Sequence, residues 1–134
     1  MTTELSAPTP IPTGIILFAH GSRDAQWRLP IEAVAANIQA RSPDTPVQCA
    51  YLELCAPTLP DAVTTLLTGG LHKVRVVPLF LGVGKHARED LPLLIDQIKA
   101  MHPEVEIELL PAVGENLGLI ELMADIALEG KKTT

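Results

Sequence analysis

Aromatic side chains make up only 3% of this 134-residue chain, which leaves almost no platform on which nucleic-acid bases could stack. Basic residues are also scarce. Ten Lys and Arg stand against sixteen Asp and Glu, and a net charge of −6 denies the chain the positive footprint that phosphate backbones require. Nucleic acid is therefore not an expected partner. Long apolar runs are missing too: the run at 14–19 falls far short of the ~20 residues that a membrane-crossing helix needs. Residues 1–13 lack the basic start and apolar stretch of a secretory signal and carry instead the scattered Pro8, Pro10 and Pro12. The expectation is a flexible leader over 1–12 on a cytoplasmic protein with no membrane partner. Cys49 and Cys55 are too few for a disulfide framework, and their spacing is not the C-x-x-C of a redox or zinc site. They read as buried or unreactive thiols.

What the chain does have is a 47% apolar composition, enough for the core of one domain, expected over 13–129 with a polar tail at 130–134. Its apolar residues follow one pattern four times. The run at 14–19 is continuous, as in a strand buried on both faces. After Asp24, a possible cap, Trp27, Ile31, Val34, Ala35 and Ile38 recur at helical spacing, with Pro30 early enough to delay or bend the helix. A second strand at 47–52 precedes a helix striped by Leu59, Ala62, Val63 and Leu66, which ends at Gly69 and Gly70. A third strand at 74–81 contains Pro78, which predicts a bulge or an end to pairing near Val77. Leu91, Leu94, Ile95 and Ile98 mark the next helix. The last strand, 105–110, alternates Val105, Ile107 and Leu109 with glutamates, which suits an edge, and a final helix uses Leu119, Leu122, Met123 and Ile126. Strands alternating with helices predict a three-layer α/β/α domain on a small four-stranded parallel sheet. The first and third strands, the most uniformly apolar, take the centre, giving the flavodoxin-like order 2-1-3-4. Ligands of such sheets bind at the carboxyl ends of the strands, at the switch point between strands one and three.

His20 directly follows the first strand, Glu53 the second, and His86 lies a short glycine-containing loop beyond the third. All three are expected on the same sheet edge. Two imidazoles and a carboxylate suit a first-row divalent metal with coordination positions left open. Arg23, Lys85 and Arg88 flank the histidines and Arg28 follows, a concentration of base in an acidic chain that suits a polycarboxylate ligand. The competing reading of those bases is a solvated, mixed-charge loop. Gly82-Val83-Gly84-Lys85 lacks the spacer and following Ser or Thr of a phosphate loop. His72, before a strand at the opposite rim, and His102, at a helix end, read as structural or exposed.

At these residues the sequence resembles the short, single-domain members of the class II tetrapyrrole chelatases, the cobalamin and sirohaem branch. The resemblance spans about 14–127. It rests on the strand leading to His20-Gly21-Ser22-Arg23-Asp24, on Val76-Val77-Pro78-Leu79-Phe80-Leu81 leading to His86 and Asp90, and on Tyr51-Leu52-Glu53-Leu54 followed by Ala56-Pro57-Thr58-Leu59. It implies insertion of Co²⁺ or Fe²⁺ into sirohydrochlorin, an acetate- and propionate-bearing macrocycle, with nickel as a third candidate. It also implies that His20 is a metal ligand and proton acceptor, that His86 and Glu53 complete the ligand set, and that two copies pair as a homodimer with their rims enclosing the ring. The divalent metal is then a substrate, and no tightly bound cofactor is expected, since the histidine-rich and cysteine-rich segments of some relatives are absent.

The chemistry is sensible by itself. Insertion removes two pyrrole protons, and an imidazole, with an ordinary pKa of about 6.5, accepts a proton near neutral pH. An incomplete ligand set lets the ion leave, while Arg23, Lys85 and Arg88 could hold peripheral carboxylates. The chief rival is a non-catalytic metal carrier using the same three residues. A hydrolase using His20-Gly21 as an oxyanion loop lacks a G-x-S-x-G nucleophile elbow.

Overall fold

A computed structural model describes residues 12–130; the expected leader and polar tail lie outside them apart from Pro12 and Gly130. The elements are strand β1 (Thr13–Ala19), a 3₁₀ turn (Ala25–Arg28), helix α1 (Leu29–Arg41), β2 (Val47–Tyr51), α2 (Leu59–Thr68), β3 (Lys73–Pro78), α3 (Lys85–Met101), β4 (Glu106–Leu109), a second 3₁₀ turn (Val113–Glu115) and α4 (Leu117–Glu129). The strands form one parallel sheet in the order β2-β1-β3-β4, as the apolar patterning predicts. Among the described residues, no helix is long and apolar enough to cross a membrane.

Alternation along the strands sends one set of side chains to each face. On the first face, Ile16, Phe18, Val74, Val76 and Ile107 meet the stripes of α2 and α3, where Leu59, Ala62, Val63, Leu66, Ile95 and Ile98 are buried. Thr58 caps α2 through its hydroxyl, which accepts from the Asp61 N–H at 3.2 Å. On the second face, α1 covers the β2–β1 half and buries Leu17, Ala19 and Tyr51. The β3–β4 half is polar, because Lys73 pairs with Glu106 (3.6 Å) and Arg75 with Glu108 (2.8 Å). The Arg75 guanidinium holds the Glu108 carboxyl below the usual carboxylate range.

Both proline anomalies resolve locally. Asp24 caps the 3₁₀ turn, accepting from the Gln26 N–H at 2.9 Å, and α1 starts only at Leu29 with Pro30 in its first turn, where a missing N–H costs nothing. Pro78 is the last residue of β3. The Leu79 N–H donates to Phe18 O at 2.7 Å on the β1 side, so position 78 faces β4, whose pairing already ended at Val76 opposite Leu109. No ladder bond is lost and no bulge is needed.

The final helix departs from expectation. Asn116 caps α4 by accepting from the Leu119 N–H at 3.1 Å, yet α4 buries none of its residues, and Leu122 and Ile126 of the expected stripe stay largely exposed. Its principal contact is the Val113–Glu115 turn before it. Periodicity identifies a helix, but not what covers it.

Core packing on the first face sets a stability prediction. Ile98→Ala, at a side chain 1% exposed, should lower the unfolding free energy by about 2–5 kcal/mol in urea titration, with little change on truncating the exposed Leu93.

Candidate metal and macrocycle site

The pairing of β1 with β2 does not stop where the strands do. Beyond Ala19 opposite Tyr51, the Leu52 N–H donates to Ala19 O (2.9 Å) and the Glu53 N–H to His20 O (3.1 Å). The two residues that follow the strands are thereby held side by side, and His20 Nε2 lies 3.2 Å from Glu53 Oε2. Gly21 makes the approach possible. Its φ is +107°, and a Cβ there would sit 1.8 Å from Glu53 O, so a side chain is barred by both conformation and space. Leu54, next to Glu53, takes the left-handed φ of 71°, a strained turn for a branched side chain.

His86 reaches the same edge from the other side of the switch point. It is the second residue of α3, whose cap is Gly84, so a rigid helix rather than a loop carries it. His20, Glu53, Lys85, His86 and Asp90 line one cleft of about 520 Å³, floored by Leu52 and Phe80. The three expected ligands thus share a cleft but not a closed coordination sphere. His20 and Glu53 touch, His86 stands across from them, and among the described residues no three His, Cys, Asp or Glu side chains are close enough to hold an ion. All three are exposed to solvent.

The expected basic ring is mostly dispersed. Lys85 lines the cleft. Arg88 turns back to donate from Nη1 to Val83 O at 2.7 Å, bracing the 82–84 loop. Arg28 lies 3.9 Å from Glu32 across one helical turn, and the exposed Arg23 is not among the cleft's lining residues. Asp90, assigned no role by the sequence reading, does line the cleft. Its spacing from His86 (i, i+4) on α3 was the available signal.

A second cavity of about 300 Å³ opens from the first, sharing Leu52, Phe80, His86, Ala87 and Asp90 and adding the apolar Phe18, Leu91 and Leu94. The rings of Phe18 and Phe80 meet edge to face, with centroids 6.0 Å apart. The site thus combines a wet, ligand-bearing side with an apolar shelf. The cysteines stand apart from it: burial pushes the Cys49 thiol up, so it stays protonated at neutral pH and is a poor metal ligand. Burial likewise pushes the Tyr51 phenol up to about 12.

The four-stranded parallel sheet thus carries an imidazole–carboxylate pair and a second imidazole at its carboxyl edge, lining one cleft. The chain belongs to the CbiX family, whose model matches residues 14–129. A sirohydrochlorin cobaltochelatase of Saccharolobus islandicus is 30% identical over 125 residues, covering 90% of this chain and 94% of that protein. One of Methanococcoides burtonii is 31% identical over 124 residues, covering 87% and 92%. Among solved structures, a CbiX protein of Marinobacter aquaeolei VT8, named for cobalamin (vitamin B12) biosynthesis, superposes with a TM-score of 0.78 at 36% identity, covering 89% of this chain and 97% of that one. The sirohydrochlorin chelatase SirB of Bacillus subtilis subspecies spizizenii, solved with cobalt, gives 0.75 at 22% identity; this chain spans 51% of its length.

The glycine at the pair is directly testable. Gly21→Ala should cost about 1–3 kcal/mol of stability in thermal unfolding and separate Glu53 from His20, so that Co²⁺ binding weakens in calorimetry. Gly82→Ala, with nothing within 4 Å of the added Cβ, should change neither.

Proposed function

We propose that this chain inserts a divalent metal, Co²⁺ or Fe²⁺, into sirohydrochlorin in cobalamin or sirohaem biosynthesis. The carrying observation is the His20–Glu53 pair at 3.2 Å, facing His86 across one open cleft at the switch point of a CbiX-family fold. The relatives of the same length named sirohydrochlorin cobaltochelatase support the substrate. The metal is a substrate, held by His20, Glu53 and His86, and no tightly bound cofactor is called for. Nickel stands as a third candidate, because intrinsic affinity follows the Irving–Williams order whatever the biological use.

The open geometry matches the task. An ion in a closed tetrahedral cage is retained, whereas one held by an exposed pair can be passed on. At 3.2 Å from the Glu53 carboxylate, a neutral His20 imidazole offers the lone pair of one ring nitrogen, able to hold the ion or accept a pyrrole proton. Two protons leave the macrocycle nitrogens as the ion enters. His20 takes one, and Glu53 or solvent receives the other. The apolar shelf of Leu52, Phe80 and Leu94 suits the flat ring, Lys85 suits a peripheral carboxylate, and Arg88 contributes by bracing the 82–84 loop next to Lys85. The protein works in the cytoplasm as a homodimer whose paired rims close over the ring.

Following the macrocycle absorbance with purified protein, sirohydrochlorin and Co²⁺ or Fe²⁺ tests this reading. His20→Ala should slow insertion by about 100- to 10,000-fold in a folded domain, and His86→Ala should chiefly weaken metal loading. Insertion no faster than in protein-free buffer would leave the metal-carrier reading in its place. Arg88→Ala should raise KM more than it lowers kcat, and an unchanged KM would remove Arg88 from the substrate site.

A further inference from the structure

The sheet runs on past its strands on both sides of the cleft. On the β1–β2 side the extension holds His20 against Glu53. On the β3–β4 side, the chain leaving β4 follows the chain leaving β3: the Leu110 N–H donates to Val76 O at 3.0 Å and the Gly114 N–H to Phe80 O at 2.9 Å. Phe80 floors the cleft, and residues 82–87 form its wall on the His86 side.

Gly114 lies closer to this segment than any other residue type allows. A Cβ at 114 would sit 1.8 Å from Leu81 O, 2.4 Å from the Leu81 carbonyl carbon and 2.6 Å from its Cα. All three atoms are backbone, so no side-chain rotation relieves the clash. Conformation does not require glycine here, because the described glycines with positive φ are Gly21, Gly70 and Gly130. Space alone does. Gly21 plays the same part across the cleft, where its missing Cβ leaves room for Glu53 O. Each wall of the cleft thus has one carbonyl seated on a glycine of the neighbouring segment.

The link between β3 and α3 has little slack to absorb a shift. The Leu79 N–H donates to Phe18 O at 2.7 Å, Phe80 O accepts from Gly114, and Val83 O accepts from Arg88 Nη1 at 2.7 Å. Gly82 alone separates the seat at Leu81 from the brace at Val83, and α3 begins at Lys85.

We infer that Gly114 is a positioning residue for the metal site: by seating Leu81 it fixes the wall that carries Lys85 and His86, and so the gap between His86 and the His20–Glu53 pair. This deepens the proposed function and rests on its assignment of His86 as a ligand. Gly114 is not among the cleft's lining residues, so it acts only through that wall. A side chain at 114 displaces the Leu81 carbonyl by about 1 Å or more, a misplacement large enough to spoil a ligand geometry.

Calorimetric Co²⁺ titration of the full chain tests this in a double-mutant cycle. Gly114→Ala should weaken Co²⁺ binding by about 10- to 100-fold, as loss of a ligand's supporting partner does. In a His86→Ala background the same change should weaken it by less than about twofold. Lost thermal stability accompanies a structural and a positioning role alike, whereas this non-additivity belongs to positioning alone. Unchanged Co²⁺ affinity in Gly114→Ala, or equal weakening with and without His86, would overturn the assignment. Should Gly114→Ala not fold, hydrogen exchange over residues 110–117, read by mass spectrometry, decides the matter without it. Coupling between sites is reciprocal, so saturating Co²⁺ should slow that exchange by about fivefold or more in the wild type and leave it unchanged in His86→Ala. Exchange that ignores Co²⁺, or responds equally in both proteins, would overturn the assignment as well. Results as expected in a chain that inserts no metal would leave the seat standing and remove the chelatase reading.

Discussion

The His20–Glu53 pair, on which the site is centred, depends on two backbone hydrogen bonds that belong to no strand. The donations from Leu52 to Ala19 O and from Glu53 to His20 O carry the β1–β2 ladder past its formal end. They turn two residues far apart in sequence into neighbours whose side chains must point out of the same edge. Gly21 is the condition for that ladder extension, because its missing Cβ is the space that the Glu53 carbonyl occupies. The strain at Leu54 follows: a chain pinned through Glu53 must turn sharply to start its descent into α2, and one residue at positive φ does so. His86 is positioned by different means, the first turn of a long helix whose stripe is anchored in the core through Ile95 and Ile98. A loop-borne pair and a helix-borne imidazole therefore line one cleft from separate supports.

The two sheet faces play unequal parts. The face under α2 and α3 is apolar across β1, β3 and β4 and supplies most of the hydrophobic stabilisation. The other is apolar only under α1 and then becomes a ladder of charge pairs, Lys73–Glu106 and Arg75–Glu108, which are half-exposed and worth little to stability. Such a surface does not demand an apolar helix over it. Helix α4 is accordingly released from the sheet beyond its capped start, and its apolar arc becomes a surface property instead of a core one.

Much of the fold is legible in the residues. The continuous apolar run at 14–19 marks a strand covered on both faces, and the alternating glutamates around Ile107 mark an edge, which fits the observed order. The stripe Leu59, Ala62, Val63, Leu66 is buried at all four positions. The site is legible at coarser grain. Position after a strand tells that His20 and Glu53 reach the rim, but their 3.2 Å contact depends on register and on Gly21, which no local pattern encodes. The basic cluster misleads because sequence adjacency in a loop carries no direction. Arg88 satisfies the Val83 carbonyl of its own loop and Arg28 finds Glu32 one turn away, so of the flanking bases Lys85 alone lines the cleft. The stripe of α4 misleads for the opposite reason: its periodicity is real, but its own sheet does not bury it.

The openness of the site is a requirement and not a defect. A protein that stores a metal gains from every added ligand, whereas one that hands the metal to four ring nitrogens must bind it less tightly than the ring does. An exposed imidazole–carboxylate pair with a second imidazole across a cleft meets that limit by geometry. It can gather an ion, yet no set of three donors among the described residues encloses one. The apolar shelf beside it addresses the other half of the problem. On the proposed function, a flat macrocycle resting on Leu52, Phe80 and Leu94 would displace water from the cleft, and in a drier cleft the attraction between the ion and the ring nitrogens strengthens. Ligand count limits how firmly the chain holds the ion, and the apolar shelf favours the ring as the place it goes.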